Sequence, residues 1–162
     1  MRILEIFVAA FLVGISTAAL ADNLTTFGTL TGRCTAVTAM DVSTAPTLCS
    51  NKLVNVEFPN GRVGFVFTLQ RTGDVKPTVI SFFGNGSEQL HVDADTAVQP
   101  VDSVNFTFRN STDRLVAAGS CRFSNPYDGK PARVSCAADT NQGKFIGDFI
   151  SNGVPPNMTQ SR

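Results

Sequence analysis

The chain has 162 residues, and its thirteen basic and thirteen acidic side chains leave no net charge. That length suits one domain with its own core, and the balance excludes the basic surface that phosphate backbones require. Thirteen phenylalanines stand against one tyrosine and no tryptophan, so the aromatic area is of the kind that fills a core and needs no polar partner.

Arg2, the apolar run 6–15 and Ala19-Leu20-Ala21 have the layout of a secretory signal, expected to occupy residues 1–21 and to be removed before Asp22. The run is shorter than the ~20 residues that span a bilayer. No later stretch is apolar enough, so no transmembrane span is expected in the mature chain. A single β domain is expected over residues 22–151, followed by a flexible tail, 152–162, that contains Pro155-Pro156.

The cysteines are Cys34, Cys49, Cys121 and Cys136, with no C-x-x-C among them. In an exported chain an even number reads as disulfides rather than metal or redox chemistry. Of the three pairings, Cys34–Cys49 with Cys121–Cys136 is favoured because each then closes a local loop of the same length. Each such loop stabilises by ~3 kcal/mol on a chain-entropy model.

In chain order, residues 27–37 read as a threonine-rich first strand and 38–47 as a loop. Residues 53–69 form the strongest hairpin signal, two alternating apolar runs around Pro59-Asn60-Gly61. Pairing Phe58 with Val63, Val56 with Phe65 and Val54 with Phe67 puts large apolar pairs on one face. A three-residue loop with Gly61 in a bulge would instead oppose Glu57 to Val63 and Asn55 to Phe65, and the apolar ladder favours the first register. Strands follow at 78–83, 88–95 and 102–108, with a turn at 84–87 and a connection at 96–100. Residues 115–123, 133–138 and 144–150 complete the set, separated by turn-forming stretches at 110–113 and 124–132. About eight short strands without an amphipathic helix predict an all-β antiparallel sandwich or barrel, stapled by disulfides. A faint echo at an offset of 87 aligns Gly32, Cys34 and Cys49 with Gly119, Cys121 and Cys136, the pattern an old duplication would leave.

Two constellations carry candidate chemistry. His91, Asp93 and Asp95, at period-two spacing on an expected strand, would aim an imidazole and two carboxylates the same way, as a divalent-metal site needs. The same pattern also describes the solvent face of a half-buried strand. Tyr127, Asp128 and Lys130, in a loop of turn formers, offer an amphipathic ring beside an acid and a base, the makings of a binding surface. Nucleophilic catalysis lacks a general base other than His91, and no G-x-S-x-G elbow occurs. Five N-x-S/T sequons, at Asn23, Asn85, Asn105, Asn110 and Asn157, matter only in a glycosylating secretory route.

The sequence therefore points to a periplasmic or extracellular, non-enzymatic β domain without cofactor. Its expected partner is a protein or cell-envelope component held through its loops. The alternative is a small metal-assisted hydrolase built on His91, Asp93 and Asp95.

Overall fold

A computed structural model describes residues 24–70, 73 and 76–162; the expected signal, residues 1–21, lies outside them. Eleven strands follow in order: β1 (Thr25–Ala39), β2 (Val42–Thr44), β3 (Cys49–Glu57), β4 (Arg62–Leu69), β5 (Thr78–Asn85), β6 (Leu90–His91), β7 (Thr96–Phe108), β8 (Ser111–Ser124), β9 (Arg133–Thr140), β10 (Gly143–Ser151) and β11 (Asn157–Ser161). Eight of them, β1, β3, β4, β5, β7, β8, β9 and β10, form an antiparallel meander in which each pairs with the next. β10 then pairs back onto β1 and closes the sheet into a barrel. The short β2 and β6 fold back on β1 and β7.

The alternation read from the sequence becomes an inside and an outside. Phe65, Phe67, Ile80, Phe82, Val104, Leu115, Phe145 and Phe149 are all buried in one core cluster. Arg33, Arg62, Arg114, Arg122, Arg133, Asp139 and Asp148 occupy the alternate positions on their strands. An apolar interior with charges outside is the reverse of a lipid-spanning barrel, whose outer face carries an apolar band. Across the barrel, the Phe67 ring of β4 presses on Gly147 of β10, where an added Cβ would lie 2.7 Å from ring carbons. Phe67 also meets Phe82 edge-on, with centroids 5.8 Å apart. Both expected disulfides are present, Cys34–Cys49 between β1 and β3 and Cys121–Cys136 between paired residues of β8 and β9.

Several sequence expectations are corrected. In the β3–β4 hairpin Glu57 pairs with Val63, Asn55 with Phe65 and Leu53 with Phe67. Gly61 takes φ +79°. The Phe58 N–H donates to the Arg62 carbonyl at 2.8 Å, and the Gly61 N–H donates to the Phe58 carbonyl at 2.9 Å. The three-residue loop thus sets the register, because Gly61 alone of its residues reaches the left-handed region without strain. Val54, Val56 and Phe58 face outward, where the Phe83 ring lies over Gly64 and stands 5.8 Å from the Phe58 ring. Residues 38–47 are not simply a loop. Met40 and Asp41, both at positive φ, turn β1 into β2. Residues 96–100 are not a connection but the start of β7, which tolerates Pro100 because the β5 ladder ends at the Phe83–Ser103 pair. The expected loose tail, 152–162, contains β11, which pairs with Thr25–Thr29 of β1 beyond the reach of β10. The echo at an offset of 87 maps the first barrel strand onto the sixth and places Phe58, in a loop, against Phe145, in the core.

The two ends of the barrel differ. At one end the β1–β2 turn latches onto the β9–β10 turn. The Asp41 N–H donates to the Lys144 carbonyl at 3.1 Å, and the Lys144 N–H donates to Asp41 Oδ1 at 3.2 Å. Met40, Ala39, Cys49 and Phe106 pack against the core there and plug that end. Nearer the other end, Arg62 of β4 reaches over β5 to β7. Its Nη1 and Nη2 donate to the Asp102 carboxylate at 2.9 and 2.6 Å, and Nη2 also donates to Ser103 Oγ at 2.9 Å. These hydrogen bonds hold the Asp102 carboxyl below the usual carboxylate range, against a smaller opposing effect of burial.

Two predictions follow from this packing. Gly147→Ala overpacks the Phe67 ring and is expected to cost about 1–3 kcal/mol, most of it recovered in a Phe67→Leu background; denaturant unfolding of the four proteins of the cycle measures it, and equal costs in both backgrounds would contradict the contact. The Asp102 pairing stabilises the fold above the unfolded carboxylate pKa of ~3.9 and is lost as pH falls through the lower folded value. Asp102→Asn should therefore cost up to about 1 kcal/mol at neutral pH, the difference from the parent vanishing in acid melts.

Candidate functional site

The end opposite the plug is open, and it holds a cavity of about 220 Å³. Its position follows from strand direction. Leu30 and Gly28 on β1, Asn55 and Glu57 on β3, and Val63 and Phe65 on β4 bring their inward positions to this mouth. Gln99 of β7, Phe123 of β8 and Val134 of β9 complete the wall. The Phe65 and Phe123 rings, with centroids 5.1 Å apart, meet across the interior. The rim comes from outside the meander: Pro126 and Tyr127 from the β8–β9 loop, and Pro156 and Met158 from the chain end. Tyr127 Oη donates to the Met158 sulfur at 3.7 Å, which joins these two parts of the rim.

The rim is tied down. The Asn125 N–H donates to the Asp95 carbonyl at 2.7 Å, binding the β8–β9 loop to the β6–β7 hairpin. The Ser151 N–H donates to the Ala132 carbonyl at 2.8 Å, and the Ala132 N–H returns a bond to Ser151 Oγ at 2.8 Å. Leu90, Val92, Tyr127, Val154 and Met158 are nevertheless exposed on the segments around this end. Such apolar exposure is informative where it gathers at one place on a small domain.

The polar side chains of the wall are those of Asn55, Glu57, Gln89, Gln99, Ser124 and Tyr127. Gln99 is 2% exposed. Its Nε2 donates to the Asn85 carbonyl at 2.8 Å and the Pro100 carbonyl at 3.0 Å. Both partners are acceptors only, which fixes the orientation of the amide. Among the described residues its Oε1 is buried without a hydrogen-bond partner. Asn55 Nδ2 donates to the Gly64 carbonyl at 3.1 Å. Glu57 adds a carboxylate, and no Lys, Arg or His side chain lines the cavity among the described residues.

Of the residues singled out in the sequence, Tyr127 sits on the rim, 60% exposed. Asp128 and Lys130 lie next to it but serve their own turn. Asp128 Oδ1 accepts the Lys130 N–H at 2.9 Å, and the Lys130 ammonium stands 3.9 Å from Asp128 Oδ2. His91, Asp93 and Asp95 do not share a strand face, because the strand over 88–95 is reduced to Leu90–His91. The chain bends at 92–95 instead. Asp93 Oδ1 accepts the Asp95 N–H at 2.9 Å, a bond that lowers the Asp93 pKa. All three residues are exposed. Among the described residues no three His, Cys, Asp or Glu side chains are grouped to hold a metal ion. The register that the apolar ladder favours turns Asn55 and Glu57 outward, and Gln99 falls in the stretch read as a connection, so alternation alone does not bring the three to one site. The usable signal was Gly61, whose place in a three-residue loop would have fixed the register that turns Asn55 and Glu57 inward.

Among the described residues no helix is long and apolar enough to cross a membrane. The two disulfides belong to an oxidising environment. Compared with protein-family models, curated proteins and solved structures, the chain matches none.

Proposed function

We propose that the chain is an exported, non-enzymatic binding domain that takes the apolar part of a small molecule or cell-envelope component into the open end of its barrel. The observation that carries this reading is the asymmetry of the two ends, one plugged by Met40 and Phe106 and the other opening on an apolar-walled cavity. An eight-stranded barrel has room for its own side chains or for one small ligand. Here the side chains fill one end and leave space at the other. The cavity's ~220 Å³ corresponds to about seven water-sized groups at ~30 Å³ each, which is the scale of a short alkyl chain or a small ring system.

A binding role also fits the chemistry at hand. The sole histidine, His91, does not line the cavity, and no described cysteine is free. The wall therefore presents neither an imidazole base nor a thiol nucleophile. Export is supported by the disulfides and by the signal-like layout of residues 1–21. The loops named in the sequence reading keep a role as the rim, with Tyr127 as its aromatic element.

Titration of the oxidised protein with an uncharged, environment-sensitive dye such as Nile red tests this. One saturable site is expected, weakened about tenfold or more, ~1.4 kcal/mol, by Val63→Trp, which fills the mouth. Val116→Ser, on the exposed outer surface, should leave it unchanged. Absence of saturable uptake, or uptake indifferent to Val63→Trp, would contradict the proposal.

A further inference from the structure

Among the described residues the one charged group of the cavity wall is a carboxylate, and that selects among ligands. The amide nitrogens of Asn55 and Gln99 are directed onto backbone carbonyls, while Gln89, Ser124 and Tyr127 bring neutral groups that both donate and accept. Gln99 Oε1 is buried and without a partner among the described residues. The amide is set in a fitted place: a Cβ on Gly84 would stand 2.9 Å from Gln99 Nε2 and 1.9 Å from the Pro100 carbonyl oxygen that Nε2 bonds.

Glu57 decides the sign of charge. The hairpin register turns it inward beside Val63, so its carboxylate belongs to the mouth rather than to the outer surface. Among the described residues it has no ion-pair partner; the nearby Arg62 is engaged with Asp102. Glu57 is exposed, so a charged group meeting it stays at the wet rim and does not pay for full desolvation. An alkyl carboxylate would face this charge with no cation in the wall to receive it. An ammonium brings the opposite charge and three donors to the Glu57 carboxylate.

We propose that the open end is selective for small cationic amphiphiles, primary amines above all, with the ammonium at Glu57 and the apolar body against Val63, Phe65 and Phe123. This rests on the reading of the open end as a binding site, and it goes further by fixing the ligand's charge. The chain's net charge is zero, so general electrostatic attraction does not supply the same preference.

Displacement of bound Nile red by octylamine, octan-1-ol and octanoate, near neutral pH and at low salt, tests it. Octylamine should displace the dye at about fivefold lower concentration than octan-1-ol, with octanoate the weakest, and added salt should narrow the gap. Glu57→Gln should bring octylamine and octan-1-ol within about twofold of each other. Because Glu57 is exposed, this variant is expected to fold; should it not, the order of the three ligands on the parent protein still decides. Octanoate binding as well as octylamine, or an amine preference that survives Glu57→Gln, would overturn the selectivity. Dye uptake at the mouth that none of the three displaces would overturn it too, with the binding site itself left standing. Failure of dye uptake altogether would instead remove the site.

Discussion

Closure of the sheet by the β1–β10 pairing is the constraint on which the rest depends. Without it β1 and β10 would be open edges, each a row of unpaired backbone groups. With it, strand count fixes the width of the interior, and the side chains must fill what the ring encloses. β1 carries this role because it is long enough to serve two partners, β11 along Thr25–Thr29 and β10 from Gly32 onward. A bulge between Cys34 and Ala36 interrupts the second ladder, where added local twist helps a strand turn a barrel corner. Phe67 lying on Gly147 shows how tightly the opposed walls approach.

Given closure, the difference between the ends becomes the source of function. The plugged end is held by local contacts. Met40-Asp41 clasps the β9–β10 turn, and the 3-10 turn Pro46–Leu48 leads directly into Cys49 and its bridge to Cys34. The other end receives the β6 hairpin, the 125–132 loop and the returning segment that carries β11. Binding sites commonly sit in such loops on a rigid scaffold. The Cys121–Cys136 bridge, buried at 0% and 1% exposure, stiffens the wall near the cavity, since Cys121 is the register partner of Gln99.

The strands were legible because inward and outward positions alternate cleanly in β8, β9 and β10. Equal spacing of the cysteines was enough to read their pairing. The hairpin register was harder, because both of its faces are apolar: Phe65 and Phe67 fill the interior, while on the outside Val56 is buried and Phe58 half-buried, the Phe83 ring beside Phe58. With two apolar faces, alternation cannot distinguish inside from outside, and loop geometry decides. That single ambiguity hid Asn55 and Glu57. Tyr127 was visible as a lone amphipathic ring, but its neighbours Asp128 and Lys130 shape the turn rather than the cavity. The His91, Asp93 and Asp95 pattern presumed a strand that Asp93 ends by capping its own turn. Residues 152–162 were unreadable as structure because their pairing depends on the stretch of β1 that β10 leaves uncovered, a long-range fact absent from local composition.

Backbone nuclear Overhauser contacts across the seam, measured in isotope-labelled oxidised protein, bear most directly on barrel closure. Contacts joining Val37 to Gly147 and Cys34 to Phe149 are expected, alongside those joining Leu30 to Leu53 within β1 and β3. Retention of the β1–β3 contacts with none between β1 and β10 would show an open sheet, and with it no enclosed cavity.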